Sequence, residues 1–240
     1  MPVSSFTDED RRVVYRAIRT RRDVRSHFLE TPIPDEVLAR LLYAAHHAPS
    51  VGLMQPWEFI IIRDRTVRNE IFANFQRSNI EAAQRYSNDR RSLYDTLKLQ
   101  AILDAPINLC ITCNQTVDRG AGLGRQSMPE TAVYSTVCAV QNLWLAARTE
   151  GIGVGWVSIL DPAELAPTLK LPENVIPIAY LCVGYVSEFA DRPDLEVKGW
   201  EQPAPIADLI HFDTYGKVDK PQAMHLLRSL TDDRIVGSDA

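Results

Sequence analysis

Long apolar runs are missing from this 240-residue chain. A bilayer-spanning helix takes about 20 consecutive apolar residues, and no stretch comes near that, so no membrane partner is expected. Basic charge is also in short supply: 26 Lys and Arg against 31 Asp and Glu give a net charge of −5. Such a chain has no global positive field with which to draw in nucleic acid or anionic lipid, so any phosphate must be met by a few local cations. Cysteine is scarce too. Cys110, Cys113, Cys138 and Cys182 sit in apolar segments, which excludes a small disulfide-stapled scaffold and points to reduced core thiols. Metal-ligand spacing is lacking: Cys110 and Cys113 lie three apart in a strand-like segment, where they face opposite sides, and the adjacent His46 and His47 diverge by about 100° on a helix. No metal site is expected. Internal repeats and low-complexity tracts are absent, and the polar, acidic start, Met1 to Arg12, differs from an apolar leader, so the expected location is the cytoplasm.

What is present suffices for a core. With 45% hydrophobic and 24% charged residues, the chain can bury a substantial interior as one domain. Helical periodicity runs from Asp8 to Thr20 and again from Pro34 to His47, and strand composition marks Trp57–Ile62, Ile107–Thr112, Gly153–Ile159 and Ile176–Val186. The four strands are compatible with one sheet. Pro129 to Glu150 predicts a helix apolar around much of its circumference, closed by Gly151, which places it in a core or a subunit interface. Residues 69–104 are more polar and read as helices over a site. After Tyr185, prolines interrupt charged stretches, so residues 187–240 read as an extended C-terminal arm of a single domain spanning 1–240.

Three constellations carry possible chemistry. Arg21-Arg22-Asp23-Val24-Arg25 packs three guanidinium groups and one carboxylate into five residues, a set suited to a phosphate but equally readable as a solvated face with a surface ion pair. Ala48 to Trp57 leaves a helix and enters a strand, carrying Ser50, Met54 and Gln55 on a loop that is either a ligand-lining segment or an ordinary Pro/Gly turn. Gly151-Ile152-Gly153-Val154-Gly155-Trp156-Val157-Ser158 lacks the G-x-G-x-x-G spacing and the following helix of a dinucleotide fingerprint. Its alternating glycines suggest instead that something flat lies close to the backbone.

In this order, the arginine cluster, the A-P-S-x-x-x-x-Q-P-W loop, Gln141-Asn142-Leu143 in the apolar helix and G-x-G-x-G-W resemble the nitroreductase superfamily from about Phe6 to Tyr215. Two positions separate this chain from the ordinary reductases: Asp23 stands where R-R-S-x-R has serine, and Ser158 closes the glycine–tryptophan segment. Both match the flavin-fragmenting branch of that superfamily.

The resemblance implies an α+β fold of αβα layers around a central mixed, mainly antiparallel sheet, an intertwined homodimer, and flavin mononucleotide (FMN) held at its interface. It further implies that reduced FMN is a substrate, broken with molecular oxygen into dimethylbenzimidazole and erythrose 4-phosphate, so that a separate NAD(P)H flavin reductase must resupply it. Asp23 would be the catalytic base and Ser158 would orient a polar atom of the flavin. Arg21, Arg22 and Arg25 would meet phosphate and ribityl oxygens, and Asp23, Val24, Ser50, Met54, Gln55, Leu99, Ser158 and Ile159 would complete the flavin contacts. Relatives often carry a basic residue after the last strand, where this chain reads Gly199-Trp200-Glu201-Gln202-Pro203; either Arg192 or Lys198 substitutes for it, or the N-terminal arginines alone hold the phosphate. Alternatives on the same fold are an NAD(P)H-dependent nitro- or quinone reductase that recycles its flavin, and a flavin-binding module without turnover.

Overall fold

The computed structural model describes residues 6–232. In chain order the helices are α1 (Asp8–Thr20), α2 (Asp35–His46), α3 (Arg65–Ala83), α4 (Asn88–Asp95), α5 (Thr131–Thr149), α6 (Pro162–Thr168), α7 (Asp194–Val197) and α8 (Lys220–Asp232), and the strands are β1 (Trp57–Ile62), β2 (Ile107–Asn114), β3 (Ile152–Val157) and β4 (Val175–Tyr185). Contacts divide the chain into two compact units, one of residues 1–20 with 195–240 and one of Arg21–Asp194. In the first, no residue of α1 is buried, and Lys220 pairs with Asp208 at 2.6 Å.

The second unit holds the sheet, ordered β1-β2-β4-β3 with every neighbouring pair antiparallel. Its mixed character comes down to one isolated parallel bridge, Asp23 to Val154. Because both faces are covered, the strands read as nearly continuous apolar runs, and the two-residue period sorts their side chains into separate cores. Ile107, Leu109, Ile111, Leu181 and Val183 pack with Leu38 and Leu41 of α2 and Val140 and Leu143 of α5. Cys110, Tyr180 and Cys182 face the other way, against Ile71 and Phe75 of α3 and Leu165 of α6. Helices on both faces of one sheet make the αβα layering. A bulge between Ile111 and Thr112 passes over Ile178 to pair Thr112 with Pro177, which has no N–H for the ladder.

Several boundaries shift from the sequence reading. β3 ends at Val157, so Ser158 and Ile159 follow the strand rather than close it. Within 69–104 the polar segment resolves into the end of α3, which starts earlier at Arg65, and α4. Asp64 caps α3 by accepting from the Thr66 N–H at 2.7 Å. Helix α6 was not apparent in the sequence, being short and containing Pro167; Asp161 caps it through the Ala163 N–H at 2.8 Å. Glu150, just past α5, returns a two-pronged ion pair to Arg40 of α2 at 2.7 and 2.9 Å, tying together the two helices that cover one face.

Candidate functional site

The arginine cluster runs as an extended segment beside β3. The Val24 N–H donates to the Val154 carbonyl at 3.0 Å, and Asp23 Oδ1 accepts from the Trp156 N–H at 3.0 Å. Its other carboxylate oxygen receives the Arg25 guanidinium. A glycine is required opposite: a Cβ on Gly155 would stand 2.0 Å from the Val24 carbonyl oxygen. Beside Gly155 the close neighbour is therefore the chain's own backbone, and beside Gly153 it is the Val24 and Val186 side chains, so at these two glycines the close approach is made by the protein itself.

Burial raises the Asp23 carboxyl above its ordinary value of 3.8. The Arg25 guanidinium, the Trp156 N–H and Arg21 pull it down, Asp194 pushes it up, and desolvation is the largest of these influences. The carboxyl is still 30% exposed, open to a cleft. That cleft is lined by Arg22, Asp23, Val24, Arg25, Ser26, His27, Glu188, Ala190, Arg192 and Asp194. Within it Arg22 donates to the Asp191 carbonyl, and His27 approaches Glu188 at 3.5 Å from a backbone with φ of 66°. Arg25 Nε is buried and has no hydrogen-bond partner.

Of the expected site residues, Arg22, Asp23, Val24 and Arg25 thus share one cleft. Arg21 does not line it, its guanidinium lying 4.9 Å from the ring centroid of Trp144. Ser158 is exposed two residues beyond Trp156, while Ile159 and Leu99 are half-buried against the core cluster on the α3 side. The second loop is organised separately. Ser50 Oγ accepts from the Gln55 N–H at 3.1 Å, Ser135 Oγ accepts from the Val51 N–H at 3.1 Å, and Arg119 donates to the Gln55 carbonyl at 2.8 Å. Leu53 and Gln55 both adopt positive φ, 52° and 46°. Met54 is buried with Cys113 and Ala132. Trp57 Nε1–H donates to His46 Nδ1 at 3.3 Å, so that histidine is held at the root of the loop.

Sequence reasoning passed over His27 and Glu188, which carry no motif. It left Arg192 and Lys198 open: Arg192 lines the cleft, and Lys198 belongs to the other compact unit. Among the described residues no group of three or more His, Cys, Asp or Glu is arranged to hold a metal, no helix is long and apolar enough to cross a membrane, and the four cysteines are free thiols. Cys110 and Cys182 are pushed up to about 12 by burial, so they are inert at neutral pH.

The nitroreductase family profile matches residues 18–185. The chain belongs to the nitroreductase family. Among members of this family it is 45% identical to a 5,6-dimethylbenzimidazole synthase of Rhodospirillum rubrum, over 77% of this chain and 87% of that protein. It is 40% identical to a 5,6-dimethylbenzimidazole synthase of Rhodobacter capsulatus, over 84% of this chain and 97% of that one. In fold, this nitroreductase-family chain is similar to an iodotyrosine deiodinase solved with FMN and 3-iodo-L-tyrosine, with a TM-score of 0.67 at 21% identity, covering 84% of this chain and all of the other.

Proposed function

We propose that this chain is a 5,6-dimethylbenzimidazole synthase that fragments reduced FMN, with molecular oxygen as the oxidant, releasing 5,6-dimethylbenzimidazole, erythrose 4-phosphate and, as a separate fragment, the remainder of the flavin's pyrimidine ring. The observation that carries this reading is the Asp23 carboxylate, fixed on β3 and raised by burial, at the position where the resemblance implies serine in ordinary reductases. The identity of 45% and 40% to proteins of that name supports it.

FMN fits the cleft at its anionic end. Arg22, Arg25 and Arg192 line it, and the buried Arg25 Nε lacks an acceptor that a phosphate or ribityl oxygen would provide. Bound there, reduced FMN supplies both the electrons for oxygen and the carbon skeleton of the product. Asp23 acts as the base toward the ribityl–isoalloxazine region, its raised pKa making it a stronger proton acceptor than a surface aspartate, while Arg25 and Arg21 favour its ionised form against that desolvation. Ser158 orients a polar flavin atom, with Val24 and Ile159 alongside. Ser50, Met54, Gln55 and Leu99 line the ring, across an intertwined homodimer.

The same reading makes 1–240 one flavin-binding domain with residues 187–240 as a C-terminal arm. It also requires a separate NAD(P)H-dependent flavin reductase, because flavin is consumed, and it places the reaction in the cytoplasm. Incubation with excess reduced FMN in air, followed by mass spectrometry, tests it. One benzimidazole should appear for each flavin lost; intact flavin recovered after many turnovers would overturn the synthase in favour of a recycling reductase.

A further inference from the structure

Helix α5 turns mostly small and aliphatic side chains toward the sheet, Ala139, Val140, Leu143 and Ala147 among them. Trp144 is the exception. Only 8% of it is exposed, and a buried indole N–H needs an acceptor. It finds one outside its own helix: Nε1 donates to the Arg22 carbonyl at 3.1 Å. The Arg21 guanidinium lies over the same ring, 4.9 Å from its centroid, within cation–π range. One side chain of α5 therefore holds two consecutive residues of the cluster.

The Arg22 carbonyl belongs to the same planar peptide unit as the Asp23 nitrogen, so fixing one fixes the approach of the chain to the Asp23 Cα. On the far side, β3 holds the Asp23 carboxylate through the Trp156 N–H and residue 24 through Val154. The Trp156 ring lies 6.3 Å from that of Trp144, tilted by 50°, so the two anchors are contiguous. Asp23 sits between an anchor on the strand and an anchor on the helix.

We propose that Trp144 is a positioning residue for Asp23, setting the base from α5 through the Arg22 carbonyl and the Arg21 guanidinium. This rests on the role given to Asp23 above, but the anchoring itself exists without flavin and can be read without it. Trp144→Phe keeps an aromatic face for Arg21 and removes the N–H. Amide hydrogen exchange on the flavin-free variant should quicken about tenfold in a peptide covering residues 21–25, with β2 unchanged. Exchange at the wild-type rate in 21–25, or equal acceleration throughout the sheet, overturns the proposal, the second outcome meaning that the indole only fills space.

In turnover, kcat should fall about tenfold while the dissociation constant of FMN stays within about twofold, because a displaced base slows the reaction without loosening the ligand. Parallel loss of both, or of neither, overturns it. A wild-type protein that makes no benzimidazole defeats the functional reading and leaves the exchange result standing. Should Trp144→Phe not fold, the indole N–H of the unmodified protein carries the test by NMR, assigned against Trp57, Trp156 and Trp200: protection supports the anchor, and exchange at the rate of an exposed indole overturns it.

Discussion

Two segments of this chain were expected to meet a flavin, and they are held in opposite ways. Arg21–Arg25 lies in ordinary extended backbone, bridged to β3, and its tension is electrostatic: a carboxyl raised by burial against the pull of the Arg25 and Arg21 guanidinium groups, with the buried Arg25 Nε lacking a partner. The Ser50–Gln55 loop has its polar groups answered, Ser50 by the Gln55 N–H and Val51 by Ser135, and its tension is conformational, with Leu53 and Gln55 both at positive φ. Residues in that region cost of order 1 to 2 kcal/mol each and persist only where the surroundings over-determine them. One region holds an unbalanced charge. The other holds a strained shape.

Removing the charge should therefore have the largest effect and should fall on chemistry. Asp23→Asn retains an acceptor for the Trp156 N–H and the local fold, so flavin binding should persist while benzimidazole formation drops about a thousandfold, in line with the contribution of a positioned base. Quantifying benzimidazole by mass spectrometry checks this, with FMN fluorescence titration as the control. A variant within about tenfold of wild type would remove Asp23 from the mechanism and leave it as one member of an ion pair with Arg25.

How much of this contrast was legible in the sequence depends on what kind of signal each feature sends. The helical and strand periods gave α2, β1, α5 and β4 nearly to the residue, because two packed faces impose their spacing on the side chains. The Arg21–Arg25 cluster was visible as a concentration of charge. Whether arginine or desolvation governs Asp23 was not, since that depends on how deeply β3 and α5 enclose it. The glycines of β3 announced a close approach without saying of what: Gly155 faces Val24 rather than a ligand. Trp144 counted as one more apolar position in a helical stripe, and nothing in that stripe reveals that its N–H reaches the Arg22 carbonyl, 122 positions earlier in the chain. The strain at Leu53 was equally hidden, because leucine gives no sign of a left-handed backbone.

Backbone substitutions separate the two modes of support at smaller cost. Gly155→Ala places a methyl 2.0 Å from the Val24 carbonyl oxygen, and Gly120→Ala places one 2.0 Å from the Gly52 carbonyl oxygen, the latter at a backbone φ of 76°. Both should destabilise, by about 3 and about 2 kcal/mol respectively, read as shifts in the urea midpoint. The locations of the damage should differ. Gly155→Ala pushes Asp23 off β3 and should reduce turnover at saturating flavin beyond its effect on stability, whereas Gly120→Ala displaces the 51–55 loop against the 119–124 segment and should weaken flavin binding instead. Equal losses of turnover from the two would dissolve the distinction between a charged site and a shaped one.

The smallest effect concerns the stability of the flavin-free protein, and its sign follows from the burial of Asp23. Its folded pKa is raised above the ordinary 3.8, so the folded state holds the proton more firmly than the unfolded one. The stabilisation this provides is fully present below 3.8 and is lost as pH rises through the raised value. Near neutral pH the ionised carboxylate therefore weighs against the fold, Arg25 notwithstanding. Asp23→Asn should then melt slightly higher than wild type near neutral pH, and the gap should close as pH falls toward 3.8, a modest stability–activity conflict confined to one residue. Scanning calorimetry across that range decides it. A variant that melts lower near neutral pH would mean that the Arg25 ion pair outweighs desolvation, and the charged segment would then be as well satisfied as the Ser50 loop.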